Sequence, residues 1–331
     1  MQHWKRCSAL RMRLRDLTST TTVWLLPPEL CADSDLVWVV ESHQSTTTPR
    51  LTVLPGIQFM PYSERTEMLG TGRVTMMDSR LSERNQAEIE RSASEARKFV
   101  LKSLERAQID RYLNPSADTP YGLEYAFHLL GDVRGRTVLD LGCGKGEDII
   151  PLLERGARVI GIDISPDLIA ITQKRLSDAN LEASLMVGSA YETGLPDESV
   201  DAIFCMALIH HLDIKLVRDE MWRVLRKGGV IILREPVRFS KGYAWVRSLL
   251  PAREDISEFE HPLTREELAI MTQPFRVQGT RYFRLPFVPL VSRILPSKSD
   301  AACRASNWIL QHWAATEHYA TGVTTKLHKV G

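Results

Sequence analysis

The sequence lacks the cysteine pattern of a disulfide framework or of a cysteine-based metal site. Its five cysteines are scattered over 331 residues, and no two of them form a CxxC pair. This spacing argues against zinc bound by cysteines and indicates reduced thiols in a cytoplasmic protein. A metal site at His312, Glu317 and His318 is also rejected, because the two histidines do not have the i, i+4 spacing of a helical ligand pair.

The sequence also lacks an excess of one charge and a long hydrophobic run. Its 42 Lys and Arg residues balance 41 Asp and Glu residues, so we expect neither nucleic acid nor an anionic lipid surface as a partner. No apolar run is long enough to span a bilayer. The basic first residues could belong to a transit peptide, but two prolines interrupt the only apolar stretch that follows, VWLLPPEL.

Residues 1–80 differ in composition from the rest of the chain. Threonine clusters and prolines dominate them, and DLVWVVES is a possible strand without an obvious partner. We predict a poorly structured extension, or an extended reading of the gene whose real start is Met76 or Met77. The segment RNQAEIERSASEARKFVLKSLERAQIDRYL then predicts one or two amphipathic helices, and residues 81–135 are assigned to helices that pack on the core.

From Thr137 onwards, apolar strands alternate with amphipathic helices. The strands are TVLDL, RVIGID, ASLMVG, VDAIFCMAL and VIILREP, and Gly228-Gly229 is predicted to stop the helix before the last of them. The pattern predicts an α/β fold with a doubly wound, mostly parallel sheet over residues 136–236. Residues 237–331 are expected to add strands FRVQGTRYFRL and YATGVTTKLHK, which closes the sheet, and an aromatic-bearing helical cap.

A glycine-rich turn, VLDLGCGKGEDII, follows the first strand of this core. An NAD site needs G-x-G-x-x-G, but Glu147 stands where the third glycine would fall, and the P-loop pattern is absent. Asp140 would repel a pyrophosphate, so a cationic ligand fits better. Asp163 ends the second strand, where a carboxylate can bind both hydroxyls of a ribose. The ligand is therefore predicted to contain a nucleoside.

The segments VLDLGCGKG, VIGIDIS, LPDESVDAIFCMALIHHL and MWRVLRKGGVIILREP together resemble the class I S-adenosylmethionine-dependent methyltransferases. Within that family they resemble the small-molecule branch of the menaquinone and ubiquinone methylases. The resemblance implies a Rossmann-like sheet of seven strands and S-adenosyl-L-methionine as cofactor. The family often has an acidic residue where Ser189 stands, at the end of the third strand, and a serine is the weaker acceptor for the adenine amino group.

The resemblance assigns specific contacts to the cofactor. Asp140 would face the methionine ammonium, Asp163 the ribose and Ile164 the adenine, while Tyr121 would cover the methionine end. The full set of predicted cofactor-binding residues is Asp140, Gly142, Cys143, Gly144, Asp163, Ile164, Ser189, Ala190, Met206 and Tyr121.

The methyl acceptor is predicted to be a small, largely apolar or aromatic molecule. The [DNS]-P-P-[YF] motif and the Pro-Cys nucleophile of nucleic-acid base methylases are missing, which disfavours such substrates. His210 and Glu235 are the candidate catalytic residues, with a salt bridge to Arg234 or Arg238 as the alternative role of Glu235. His211 is expected to cap or pack under the following helix.

The helical cap supplies aromatic side chains that could contact such an acceptor or simply pack the cap onto the sheet. They are Tyr243, Trp245, Phe283, Phe287, Trp308 and Trp313. Two further functions stay open at this point. One is an S-adenosylmethionine-binding protein without turnover, and the other is an NAD-dependent oxidoreductase, which the glycine spacing disfavours.

Overall fold

The computed structural model describes residues 36–40, 51–55, 76–240 and 261–330. Its contacts divide the chain into two units, Met1–Met77 and Asp78–Gly331. In the first unit, strand β1 (Leu36–Val40) pairs antiparallel with β2 (Leu51–Pro55). The expectation that DLVWVVES lacks a partner is therefore wrong, because the apolar, β-prone run LTVLP provides one.

Among the described residues, three helices precede the central sheet in the chain. They are α1 (Met76–Lys98), α2 (Arg106–Leu113) and α3 (Gly122–Leu130). The segment predicted to form one or two helices thus forms two, α1 and α2. A capping box at Glu105 and Gln108 starts α2, where the Glu105 amide donates to Gln108 Oε1 at 3.0 Å.

The central sheet of the second unit has seven strands in the order β5-β4-β3-β6-β7-β9-β8. The strands β3 to β7 are parallel, and β9 is antiparallel to both β7 and β8. This confirms the predicted doubly wound, mostly parallel sheet. The strand bounds are β3 (Thr137–Leu141), β4 (Arg158–Asp163), β5 (Ser184–Val187), β6 (Val200–Met206), β7 (Leu225–Pro236), β8 (Arg276–Phe283) and β9 (Gly322–His328).

Helices cover both faces of the sheet. The connecting helices are α4 (Ile149–Glu154), α5 (Pro166–Asp178), α6 (Ile214–Val224), α7 (Arg265–Thr272), α8 (Phe287–Ile294) and α9 (Ser299–His312). Alternate residues of each strand enter two apolar layers: Ile231 and Leu233 pack on the α6 side, and Ile232 packs on the α3 side with Phe204. In the part of the chain that the structure describes, no helix is long and apolar enough to cross a membrane.

The structure corrects two predictions about the sheet, one on where a helix ends and one on where the last strand lies. Helix α6 ends at Val224, before Gly228-Gly229, because Leu225 is buried and pairs with Val200 at the start of β7. The final strand β9 does not close the sheet: it lies between β7 and β8, so β8 forms the edge. A sequence read in order cannot show this, since the inserted strand is the last one in the chain.

Candidate functional site

A cleft of about 490 Å³ opens at the carboxyl ends of the parallel strands. The loops after β3, β4, β5 and β6 line one side of it, which is where a doubly wound sheet binds its ligand. The structure brings eight of the ten predicted cofactor-binding residues to this cleft. They are Gly142, Cys143, Gly144, Asp163, Ile164, Ser189, Ala190 and Met206.

The two glycines at the start of the turn have different physical roles. Gly142 has φ +75°, and a Cβ there would come within 2.8 Å of the Leu208 side chain. Its missing side chain therefore lets the turn after β6 pack closely. Gly144 has φ +52°, and a Cβ there would meet nothing within 4 Å. At this position glycine supplies the left-handed backbone and leaves open space.

Asp163 is fixed by two backbone amides. Its Oδ2 accepts a hydrogen bond from Gly144 N and its Oδ1 accepts one from Ser165 N, both at 2.9 Å. Burial raises the pKa of Asp163, and these two amides counteract the increase. Each carboxylate oxygen retains a second lone pair, so the group is oriented to accept two further hydrogen bonds from a diol.

Cys143 and Ser189 contribute neutral groups to the wall. Burial, followed by the charges of Asp140 and Asp163, raises the pKa of the Cys143 thiol, so it stays protonated at neutral pH. Ser189 Oγ accepts a hydrogen bond from Tyr191 N at 3.2 Å and thereby orders the turn after β5. Neither side chain brings a nucleophile to the cleft.

Two predicted cofactor contacts are not on the cleft wall. Asp140 is 2% exposed and lies behind the wall; its Oδ2 is buried without a hydrogen-bond partner among the residues that the structure describes. Burial, then the charges of Asp148 and Asp163, raises its pKa. Tyr121 precedes α3, and the Arg111 guanidinium carbon lies 4.7 Å from the centre of the Tyr121 ring. By contrast, Asp148 and Leu123, which follow these two residues in the chain, do line the cleft.

The two adjacent histidines occupy different environments. His210 Nδ1 lies 2.7 Å from Glu235 Oε2, and Glu235 Oε1 accepts hydrogen bonds from the amides of Leu208 and Ile209 at 2.9 Å. His210 and Glu235 are both buried and do not line the cleft, whereas His211 does. The expected positions are therefore reversed, because the short 3₁₀ turn at Ile209–His211 points consecutive side chains in different directions.

His211 combines a position in the cleft with a strongly lowered basicity. Burial, followed by His210, Arg91 and Arg84, lowers the pKa of His211 to about 3, so the ring is neutral at pH 7. Its ring centre lies 4.1 Å from that of His210, and its Nδ1 lies 3.6 Å from Glu88 Oε2 on α1. A neutral imidazole at this place can accept or donate one hydrogen bond.

Helix α1 forms the opposite wall, which the sequence interpretation missed. The spacing of its polar positions, close to 3.6 residues, places them on one face and could have indicated this role. Glu95 Oε1 contacts Lys145 Nζ at 2.5 Å and so connects α1 to the glycine turn. The α1 residues in the wall are Arg84, Asn85, Glu88, Arg91, Ser92 and Glu95.

Of the aromatic residues predicted for the C-terminal cap, those that the structure describes do not line the cleft. Phe283 is buried against Tyr125, while Trp308 and Trp313 pack edge to face with about half of each residue exposed. Phe287 packs in a small separate core. The predicted aromatic residues Tyr243 and Trp245 lie outside the described residues.

Comparisons with known proteins identify the family of this chain. A family profile described as a methyltransferase domain matches residues 139–233. A demethylmenaquinone methyltransferase of Tropheryma whipplei is 32% identical over 184 residues, which cover 49% of this chain and 74% of that protein. The chain belongs to the S-adenosylmethionine-dependent methyltransferases.

Mycobacterial members of this methyltransferase family match a shorter region. An uncharacterized methyltransferase of Mycobacterium tuberculosis is 35% identical over 34% of this chain and 45% of its own length. A protein of Mycolicibacterium smegmatis named "Probable S-adenosylmethionine-dependent methyltransferase" is 36% identical over 33% of this chain and 42% of its own length. The chain thus spans less than half the length of these two relatives.

Family membership confirms the predicted enzyme class and cofactor. It also decides against an NAD-dependent oxidoreductase, in agreement with the G-x-G-x-G spacing at Gly142, Gly144 and Gly146.

Proposed function

We propose that this methyltransferase moves the methyl group of S-adenosylmethionine to a small, largely apolar or aromatic acceptor. The observation that carries the proposal is the arrangement of Asp163 and Gly144, in which a carboxylate oriented by two amides stands beside a backbone turn with open space in front of it. This geometry suits the diol of a ribose and an approaching ligand chain.

The residues present fit the cofactor. Asp163 would bind the ribose hydroxyls, Ile164 would pack on the adenine, and the turn at Ser189 and Ala190 would contact the edge of the base. The carboxylates at and behind the wall, Asp163, Asp148 and Asp140, repel one another and favour a ligand with positive charge. When bound, the cofactor supplies a methyl group activated by its sulfonium.

The protein's part in methyl transfer is alignment and exclusion of water. An in-line displacement needs the acceptor atom held opposite the leaving sulfur, and a positioned reactant pair accounts for much of the rate. Helix α1 forms part of the cleft wall and contacts the glycine turn through Glu95 and Lys145. Met206, Leu208 and Leu212 give the wall apolar surface. This lining favours an acceptor with an apolar body.

His211 is the candidate residue for contact with the acceptor. It lines the cleft after β6, and its neutral ring can accept a hydrogen bond from an acceptor hydroxyl or amine. His210 and Glu235 act indirectly, because they fix the turn that carries His211. Methylation of a hydroxyl or amine is consistent with this arrangement.

The test combines binding and turnover. Calorimetry should show that the protein binds S-adenosylhomocysteine and does not bind NADH. Transfer of a labelled methyl group should then be measured on a panel of phenols, hydroxyquinones and amines, with His211→Asn compared against wild type. We expect the variant to keep its affinity for S-adenosylhomocysteine and to lose at least tenfold in kcat. Binding without any transfer across the panel would favour a cofactor-binding protein without turnover.

A further inference from the structure

Arg234 is a charged residue of the cleft that the proposed reaction does not yet use. It lies near the end of β7, and its side chain is half-buried in the cleft wall beside α3. A Cβ placed on Gly122 would lie 3.4 Å from Arg234 Nε, so the start of α3 packs against the guanidinium. Burial lowers the pKa of Arg234 by removing water from around its charge.

Among the carboxylates that act on Arg234, Asp148 contributes the largest compensating charge. It lines the same cleft just before α4, and its charge opposes the fall in the pKa of Arg234. Within the described part of the chain, however, the two side chains form no ion pair within 4.0 Å, and the Arg234 guanidinium donates no hydrogen bond. Opposite charges that share one cleft without contact leave room for a ligand that carries both charges.

The other two arginines of the cleft face different groups. Arg91 Nη2 lies 2.5 Å from Glu88 Oε1. The charge of Arg91 also lowers the pKa of Asp163, where the ribose is proposed to bind. The charge of Arg84 lowers the pKa of His211. Arg234, by contrast, lies on β7, three strands from β4 and Asp163 in the sheet order, which is about 14 Å at the usual strand spacing. It therefore marks the end of the cleft away from the adenosine.

We propose that Arg234 and Asp148 together bind the α-amino-acid end of the cofactor, Arg234 through the carboxylate and Asp148 through the ammonium. This inference rests on the proposed function, because it assumes the adenosine at Asp163 and Ile164. The fork of a guanidinium matches a carboxylate in two parallel hydrogen bonds, and the ammonium meets an anionic acceptor on the other side.

The buried carboxylates support an ammonium at Asp148. The charge of Asp148 raises the pKa of the fully buried Asp140, and burial raises the pKa of Asp148 itself to about 6. A cation bound at Asp148 would offset the electrostatic repulsion between the carboxylates of Asp148 and Asp140. Asp140 then acts as a second negative charge behind the first.

The test compares three ligands by calorimetry on the full chain. S-adenosylhomocysteine has the complete amino-acid end, S-adenosyl-3-thiopropylamine lacks the carboxylate, and 5′-methylthioadenosine lacks both charges. Arg234→Met should weaken S-adenosylhomocysteine at least tenfold and leave the other two ligands within a factor of two. Asp148→Asn should weaken the two ligands that carry an ammonium and leave 5′-methylthioadenosine unchanged. Arg234→Lys should recover part of the lost affinity.

The controls separate this proposal from the proposed function. Arg158→Met removes an exposed arginine at the amino end of β4, away from the carboxyl ends that line the cleft. This variant should bind all three ligands with unchanged affinity. Retained binding of 5′-methylthioadenosine shows that the adenosine site of each variant is folded. Unchanged binding of S-adenosylhomocysteine by Arg234→Met would overturn the present proposal alone, including the case in which only the acceptor's KM changes. A wild-type protein that binds none of the three ligands would overturn the proposed function and this inference together.

Discussion

Glu235 Oε2 lies 2.7 Å from His210 Nδ1, and the other oxygen of the same carboxylate accepts two backbone amides of the turn after β6. One side chain thus satisfies three donors in a place where water has little access. Because His211 follows directly in the chain, Glu235 determines where the cleft histidine lies. Glu235 is accordingly a positioning residue.

Removing this carboxylate should destabilise the protein. Glu235→Ala leaves buried donors without partners, each at a cost of about 1–3 kcal/mol, so we expect a loss of about 3 kcal/mol or more in the free energy of unfolding. Urea unfolding measures it. Glu192→Ala, an exposed glutamate on the loop after β5, is the matched control and should cost less than about 0.5 kcal/mol. Equal stability of the two variants would mean that the turn is ordered by other contacts.

Asp163 should be essential for cofactor affinity. Asp163→Ala removes charge-assisted hydrogen bonds to the ribose worth about 1.5–3 kcal/mol each, so binding of S-adenosylhomocysteine should fall at least tenfold. Because Asp163 also accepts the Gly144 and Ser165 amides, Asp163→Asn is the matched variant that keeps one acceptor oxygen. We expect it to bind more tightly than the alanine variant. A folded alanine variant with unchanged affinity would exclude Asp163 from the site.

Ser189 offers a gain-of-affinity prediction. Ser189→Asp places a charged acceptor where the resemblance expects one for the adenine amino group, and should tighten binding of S-adenosylhomocysteine by about 1 kcal/mol. The new side chain can still accept the Tyr191 amide that Ser189 Oγ accepts. Calorimetry with Ser189→Asn as the uncharged control measures the contribution of the charge. Weaker binding by the aspartate variant would show that serine is the adapted residue here.

The cluster of carboxylates at the cleft predicts how stability depends on pH. Burial, helped by Glu147 and opposed by Arg234, raises the pKa of Asp148 to about 6, whereas the unfolded chain ionises it near 4. The folded state therefore retains this proton between about pH 4 and 6, and ionisation makes folding less favourable as the pH rises through that range. Asp148→Asn should leave stability nearly unchanged at pH 4 and raise it at pH 7.

Thermal melts of ligand-free Asp148→Asn and wild-type protein, run from pH 4 to 8, measure this difference. We expect the variant to melt a few degrees higher at pH 7, although it binds the cofactor product more weakly. A variant that melts lower at pH 7 would show that the attraction of Arg234 outweighs the burial of Asp148.

The N-terminal segment should contribute little to the methyltransferase core. Residues 1–76 have weak periodicity and few well-placed apolar side chains, which cannot offset an ordering cost of about 1–2 kcal/mol per residue. A protein that starts at Met77 should therefore melt within a few degrees of the full chain and bind S-adenosylhomocysteine equally well. The shortened protein retains the α1 residues that line the cleft. Insolubility, or a clearly lower melting temperature, would show that the removed segment stabilises the core.

The sequence by itself determined the sheet and was enough to predict a nucleoside site at its carboxyl edge. Alternating apolar strands and amphipathic helices predict the parallel order, and the turn at Gly142 and Gly144 with Asp163 after the next strand predicts the adenosine site. These features are local: a strand's length, a glycine's left-handed backbone and a residue at a strand end follow from nearby residues, and parallel strands bring their carboxyl ends to one edge.

Only the tertiary structure decided the rest of the cleft wall, which contains His211, Asp148, Arg234 and helix α1. The reversal of His210 and His211 depends on the direction of a three-residue turn that Glu235, 25 residues away, fixes by hydrogen bonds. Asp140 and Asp148 are both near the glycine turn, yet packing buries the first behind the wall and leaves the second in the cleft. Helix α1 and Arg234 reach the cleft from distant parts of the chain. Such contacts depend on which face of an element meets which neighbour, and residue spacing alone does not specify that.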